Sequence, residues 1–575
     1  MTGAGGSTPT KDPGASADFQ PDALSRRLRA AFWILAVLLG GLQAWEYRNY
    51  SSDDTVACLD LSDAFFRGDW KLAFNAHWHP LVPMLIALAR KIYNPPSYDD
   101  FVLVQIVTFA VYLASIRCFE FFWRSLIDSH HRSSSFAGKL AGLPDWAWLT
   151  LGYVIWLWTS LTITTLFSTI QDIAVSAYLY LASGMVVRIR MGHQGVGTFA
   201  LLGAVLGYGY WTKAPLFVMG FVFLAVGYFA VADRRWAIPR VLLSLVIFLG
   251  LSSPLILILS RSKGRWTLGG GGELVYAWFV NGTPVFYNWQ GEAPNVGVPE
   301  HPTRKLFDRP AVYEYAAPIR GTYPPWYDPA YWNAGLEPHF SVRQQLAAVG
   351  RGLTVYYTVI SSQGFLVAGI LILFLMGEGG AASAVKAIAR NWHLLVPALA
   401  GFAGYALIHV EPRYVGGFLV LLWAGIISAV RLPDSSEARK LAARVTLALA
   451  MLLGGAALAP EAYLLAAPLR SPVRRDLAQG LAKLGVRPGD TIAIIGNAPQ
   501  SYWARLARVR IVAEVPPQDV RCFWSAAPSV KSEIMNLLAK TGAKTVVAED
   551  VPPPALLAAW QRVGNTDDYA YFFSR

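Results

Sequence analysis

Eleven apolar runs lie between Ala30 and Leu465, most of them near the roughly 20 residues that a helix needs to cross about 30 Å of hydrocarbon. Few folds accommodate such a pattern. Of the 575 residues 54% are hydrophobic and 15% charged, and the mean hydropathy is +0.37, outside the usual range of a soluble protein this long. The chain therefore reads as a polytopic α-helical membrane protein of about 11 transmembrane helices.

The net charge is +12, from 49 Lys and Arg against 37 Asp and Glu. Its placement argues against nucleic acid as a partner. The clustered cations fill short links: Arg26-Arg27-Leu28-Arg29, Arg124, Arg188 with Arg190, Arg234-Arg235, and residues 431–444. Cytoplasmic links of a membrane protein carry that excess, and membrane lipids are its natural contacts. With Arg26–Arg29 in the cytoplasm, the predicted spans alternate consistently: 30–46, 101–123, 146–167, 173–187, 198–211, 216–232, 241–259, 353–376, 392–409, 415–430 and 445–465. The stretch 80–92 is too short to cross and is predicted to be interfacial or re-entrant; counting it as a span would reverse every later link.

Three parts follow. Residues 1–22, rich in Gly, Ser, Pro and Asp, are expected to form a disordered cytoplasmic tail. Residues 23–470 form the membrane domain, with outer loops at 47–100 and 261–351. Residues 471–575 alternate helix-like and strand-like runs and read as a small extracytoplasmic α/β domain. The first apolar run has no small-residue cleavage site after it and reads as a retained helix, so the chain is expected in a bacterial-type inner (plasma) membrane with its N-terminus cytoplasmic. Cys58, Cys118 and Cys522 are too few for a disulfide framework, although a Cys58–Cys522 bridge stays open. Neither Gly269 to Gly272 nor Ile494-Ile-Gly-Asn-Ala-Pro-Gln fits a nucleotide-binding loop.

The polar features fall on the outer side. Asp53-Asp54 stand just past the first apolar run, where charge beside hydrocarbon points to a water-filled site. Asp60, Asp63, Gly68-Asp69-Trp70 and His77-Trp78-His79-Pro80 follow. Asp172, Thr212-Lys213 and Arg413-Tyr414 lie at the mouths of later spans. This arrangement resembles the GT-C superfamily of membrane glycosyltransferases, in particular the lipid A aminoarabinose transferases and the protein O-mannosyltransferases. There an acidic pair opens the first outer loop, and in the former Gly-Asp-Trp follows at similar spacing. Asp54 stands where Glu is usual, and His79-Pro80-Leu81 replaces a Lys-Pro-Pro-like element.

The resemblance implies that Asp53 is the catalytic carboxylate and that Asp172 is the acid facing it. A helix N-terminus also favours Asp for capping, so Asp172 has a structural alternative. Lys213 matches the family's Thr-Lys element and Arg413 its Arg-Tyr pair, implying contacts to a lipid phosphate. Their alternatives are snorkelling for Lys213 and a surface pair with Glu411 for Arg413. Asp53, Asp54, Asp172 and His79 together have the chemistry to hold a hard divalent cation, Mg or Mn. Trp326, Tyr327, Tyr331 and Trp332, in a Pro-stiffened segment, suit stacking on sugar or acceptor faces, or else an interfacial aromatic belt.

The expected function is an inverting glycosyltransferase that moves a sugar from a polyprenyl-phosphate donor to an extracytoplasmic glycan, lipid or protein acceptor. A transporter or flippase of envelope glycolipids is the first alternative; it should show internal repeats and midplane polar residues, and neither is evident. A non-catalytic envelope assembly protein is the second.

Overall fold

Apolar runs in hydrocarbon must close their own backbone hydrogen bonds, and each of the eleven predicted runs is helical. The structure is a computed structural model describing residues 23–134, 140–167, 170–299, 303–333, 335–377, 380–466, 473–549, 551–552 and 560–573; the predicted tail 1–22 lies outside them. Among the described residues six helices are long and apolar enough to cross a membrane: Ala23–Glu46, Ser97–Arg132, Asp145–Thr164, Ile170–Arg190, Arg234–Lys263 and Ser436–Pro460. Val342–Ser361 and Gly364–Leu375, bent by 69° at their junction, make a seventh if counted as one span. The helices Val196–Tyr210, Pro215–Ala230, Trp392–Ala406 and Pro412–Ile427 have only 15 or 16 residues. At 1.5 Å per residue they reach about 24 Å, short of the full hydrocarbon thickness. Length and composition thus support six or seven crossings, against the eleven expected. Three of the short helices begin or end beside Lys213 or Arg413, where polar groups cut the apolar run.

The helices pack through large aromatic side chains and close approaches. Trp123, almost fully buried, donates its indole N–H to the Trp148 carbonyl at 2.8 Å. Arg29 binds Glu120 through Nε at 2.5 Å and Nη2 at 3.0 Å, tying the first span to the second. Trp33 and Tyr153 also donate to that carboxylate, so the buried charge is paired and hydrogen-bonded as its burial requires.

The predicted outer loop 47–100 is largely helical. Asp53–Arg67 is a 15-residue helix ended by Gly68, whose left-handed φ of 74° suits a residue without Cβ. Asp69 then caps the one-turn helix Trp70–Ala73 by accepting from the Leu72 N–H at 3.3 Å. The expected short interfacial segment is the 12-residue helix Leu81–Ile92, which buries Val82, Ile86 and Arg90 on one face and is too short to cross.

Seven strands form one sheet: β1 Thr303–Phe307, β2 Val312–Tyr315, β3 Thr491–Ile495, β4 Arg510–Val515, β5 Thr545–Ala548, β6 Gln561–Arg562 and β7 Tyr569–Phe572. Their order is β1-β2-β4-β3-β5-β7-β6. The central pairs β3/β4 and β3/β5 are parallel, and both flanks are antiparallel. Buried on both faces, the central strands read as apolar runs such as Thr491-Ile-Ala-Ile-Ile495. The edge strand β1 and its neighbour β2 come from the loop at 261–351, with Tyr313 of β2 paired to Glu514 of β4. Loop and C-terminal segment are therefore joined in one sheet. Cys58, Cys118 and Cys522 are free thiols, so the Cys58–Cys522 bridge is absent.

Candidate functional site

Ser52 opens the helix Asp53–Arg67 by accepting the Thr55 N–H at 3.3 Å, which puts Asp53 and Asp54 in its first turn. Unpaired backbone N–H groups there favour negative charge, so part of the acidic pair's purpose is helix initiation. The Ser-Asp-Asp-Thr sequence carried that signal, and reading residues 47–100 as a loop missed it.

Three other helix ends meet this turn. Asp172, 2% exposed, stands in the first turn of Ile170–Arg190; Lys213 lies between Val196–Tyr210 and Pro215–Ala230; Arg413 opens Pro412–Ile427. Lys213 Nζ reaches Asp172 Oδ1 at 2.7 Å and lies 3.9 Å above the Tyr414 ring. Arg413 is the hub. Its Nε meets Glu411 Oε2 at 2.5 Å and Asp172 Oδ2 at 3.7 Å, and its Nη1 meets Asp54 Oδ2 at 3.5 Å. The Glu411–Arg413 contact, which the sequence offered only as a surface pair, is thus part of a half-buried network that brings Glu411 and Tyr414 into the site. Their adjacency to Arg413 was the available signal.

Burial pushes the Asp54 carboxyl up, and the neighbouring Asp53 charge adds to it; Arg413 and Lys213 oppose both, leaving Asp54 at about 7. Asp53 is also raised, by burial, against the pull of backbone N–H groups and Arg413. Glu411 goes the other way: burial raises it, but His409 and Arg413 together outweigh burial and bring it to about 2. The four acids Asp53, Asp54, Asp172 and Glu411 face two cations, Lys213 and Arg413. A proton on Asp54 relieves part of that excess.

Because Asp54 titrates above its ordinary 3.8, the folded protein holds a proton that the unfolded chain releases. The stability this proton contributes is fully present below pH 3.8 and lost as the pH rises through about 7. Asp54→Asn is therefore expected to stabilise the protein relative to wild type more at pH 8 than at pH 5, by on the order of 1 kcal/mol or more. Thermal unfolding in detergent at the two pH values checks this; a pH-independent difference contradicts the assignment.

His79 does not join the acids. It is buried with Nε2 unbonded, its ring 5.3 Å from that of Tyr210, and burial holds it neutral, down to about 3. Among the described residues no three His, Cys, Asp or Glu side chains are grouped to hold a metal ion. The expected ligands Asp53, Asp54, Asp172 and His79 are therefore not gathered around one point.

The expected stacking platform is also corrected. Trp326, Tyr327, Tyr331 and Trp332 are 2%, 3%, 6% and 3% exposed. Pro324-Pro325 and Asp328-Pro329 start the one-turn helices Pro324–Tyr327 and Ala330–Asn333, which turn all four rings inward. Trp326 packs on Tyr323 and Tyr502 at 5.0 and 5.2 Å, and the Tyr327 hydroxyl donates to the Leu72 carbonyl at 2.7 Å. These rings join the loop to the C-terminal segment and form no exposed stacking platform.

That segment also reaches the acidic helix. Arg474 Nη1 donates to the Ser51 carbonyl at 3.3 Å, and its guanidinium lies 4.6 Å from the Tyr50 and Tyr502 rings. Arg505 binds Asp60, Asp63 and Asp100, each at 2.8 Å.

No protein-family model matches the sequence, and no curated protein matches it significantly. Solved structures do match. ArnT from Cupriavidus metallidurans bound to undecaprenyl phosphate aligns with a TM-score of 0.54 at 13% identity, over 94% of this chain and 97% of that one. Its apo state aligns with a TM-score of 0.50 at 13% identity, over 94% and 98%. Likeness over nearly the whole of both chains, at an identity too low to carry function, gives this protein the fold of that ArnT.

Proposed function

We propose that the protein is an inverting glycosyltransferase that moves a sugar from a polyprenyl-phosphate donor to an extracytoplasmic acceptor glycan, lipid or protein. The observation that carries this reading is the meeting of Asp53-Asp54 with Asp172, Lys213 and Arg413 at four helix ends, on a fold shared with an ArnT that was crystallised with undecaprenyl phosphate. In this reading the four short helices also cross the membrane, giving eleven spans. The N-terminus is cytoplasmic, the C-terminal segment extracytoplasmic, and the membrane a bacterial-type inner membrane.

Asp53 takes the proton of an acceptor hydroxyl as its oxygen bonds to the anomeric carbon. On the opposite face the bond from that carbon to the phosphate oxygen breaks, and the electron pair leaves with the lipid phosphate. Phosphate is a good leaving group and needs no general acid. Lys213 and Arg413 neutralise the departing charge, with Arg413 offering two parallel hydrogen bonds. Asp172 and Glu411 hold the cations in place beforehand, and a protonated Asp54 keeps the acid excess from repelling the phosphate.

The test uses purified protein in liposomes with radiolabelled polyprenyl-phosphate sugar and extracted envelope glycans. Label is expected on the glycan. Label that crosses the vesicle without joining a glycan overturns the proposal in favour of transport.

The phosphate contact has its own test. Arg413→Lys is expected to lower transfer by about tenfold to a hundredfold, since a point charge replaces a fork. Steady-state rates at saturating donor measure it, and an unchanged rate removes Arg413 from the phosphate site.

A further inference from the structure

At the far end of the helix Asp53–Arg67 a cavity of about 260 Å³ opens between that helix, the loop around Arg320-Gly321-Thr322 and the C-terminal segment near Arg505. Its inner wall is an ionic cluster. Asp60 accepts from the Thr322 N–H at 2.7 Å and hydroxyl at 2.9 Å, besides Arg505. Asp63 meets Arg508 at 2.5 Å, and Asp100 meets Arg90 at 2.9 Å and Arg508 at 3.0 Å. Of this cluster Asp60, Asp63, Arg505 and Arg508 line the cavity, two charges of each sign, and the wall is neutral.

The rim is different. Arg67, Arg320 and Arg510 line the same cavity with exposed side chains, and among the described residues none of them has an ion pair. Three unpaired cations converge on one concavity whose wall supplies no counter-charge, and a cavity of that kind focuses positive potential inward. Its shape is specified: Gly321, at φ +70°, lets the loop lie against the wall, where a Cβ would stand 2.8 Å from Asp60 Oδ2.

Size narrows the ligand further. About 30 Å³ per water gives room for eight or nine waters, or one sugar ring with a charged substituent, and the volume sits just below the usual range of small-molecule sites. Arginine forks match carboxylate and phosphate oxygens. We infer that this cavity binds an anionic sugar unit, a hexose carrying phosphate or carboxylate. Its assignment to the acceptor glycan rests on the transferase reading, whereas the binding itself does not.

Titration calorimetry on the full-length protein in detergent tests it, with glucose 6-phosphate, glucuronic acid, glucose and inorganic phosphate as probes. The two anionic sugars are expected to bind, glucose at least tenfold more weakly, and inorganic phosphate more weakly than glucose 6-phosphate. The triple variant Arg67→Gln, Arg320→Gln, Arg510→Gln is expected to lose at least tenfold in affinity, and added salt to weaken the wild type. Asp53→Asn should bind as the wild type does, which separates failure of this site from failure of the transferase chemistry. Equal binding by wild type and triple variant overturns the inference, as does glucose or inorganic phosphate binding as tightly as glucose 6-phosphate. Binding of phosphatidylglycerol nanodiscs through these arginines without sugar-phosphate binding also overturns it, by making the site a lipid-headgroup contact.

Discussion

Asp53→Asn is expected to lower sugar transfer by roughly 10²–10⁴-fold, the usual contribution of a positioned general base. The substitution keeps the volume of the side chain and its place in the first turn, with Ser52 still capping the helix. It removes the basic oxygen and one negative charge from an acid-rich site, so folding should be preserved or slightly improved. A drop in single-turnover rate with donor affinity retained identifies the base; a parallel loss of donor binding indicates an organising role instead. Asp54→Asn is the internal control. Asp54 touches Arg413 and sits near neutrality in its titration, so losing its charge is expected to cost much less than tenfold at pH 6. If Asp54→Asn is the more damaging of the two, the base is Asp54.

The largest stability effect is expected from Arg505→Leu. Arg505 is buried and binds Asp60, Asp63 and Asp100, which belong to the outer helix Asp53–Arg67 and the start of the second span. Without it two guanidinium groups, Arg90 and Arg508, remain for three buried carboxylates. Removing one partner of a buried ionic group leaves uncompensated charge and costs about 3–5 kcal/mol. The pH dependence checks the cause. Burial raises Asp63, but Arg505, Arg508 and Arg90 together outweigh burial and hold it at about 2. A depressed carboxylate contributes stability that is present above its ordinary 3.8 and lost as the pH falls through the folded value. The deficit of Arg505→Leu should therefore be greatest near neutrality and shrink below pH 4, as the orphaned carboxylates take up protons. Unfolding midpoints across that range measure it, together with protease sensitivity of the C-terminal segment. A deficit independent of pH would point to lost packing instead of lost charge pairing.

The helices were legible because a 20-residue apolar run in hydrocarbon has one way to satisfy its backbone. Site placement was partly legible for a related reason. Alternating the spans puts Asp53, Asp172, Lys213 and Arg413 on one side, and the structure brings Asp54, Asp172, Lys213 and Arg413 into one network. What misled the reading was local. Ser52 with two following acids is a helix start, and Gly68 and Asp69 are caps, so a motif read as chemistry is also a set of chain terminators. The ring quartet at Trp326–Trp332 looked like a sugar platform because exposure cannot be read from composition; burial makes it an internal joint.

Charge order and apolar length, which are properties of consecutive residues, sufficed for the membrane class, the side shared by the acids and cations, and the α/β character of the last hundred residues. Partner choice among distant residues did not follow from them. That β1 and β2 from the loop complete the C-terminal sheet, that Arg413 reaches Asp54 and Asp172, and that Arg505 clasps three carboxylates from two helices are all long-range contacts. Each depends on which surfaces the packed helices bring within a few ångströms, and burial then sets the strength and protonation of every charge they enclose.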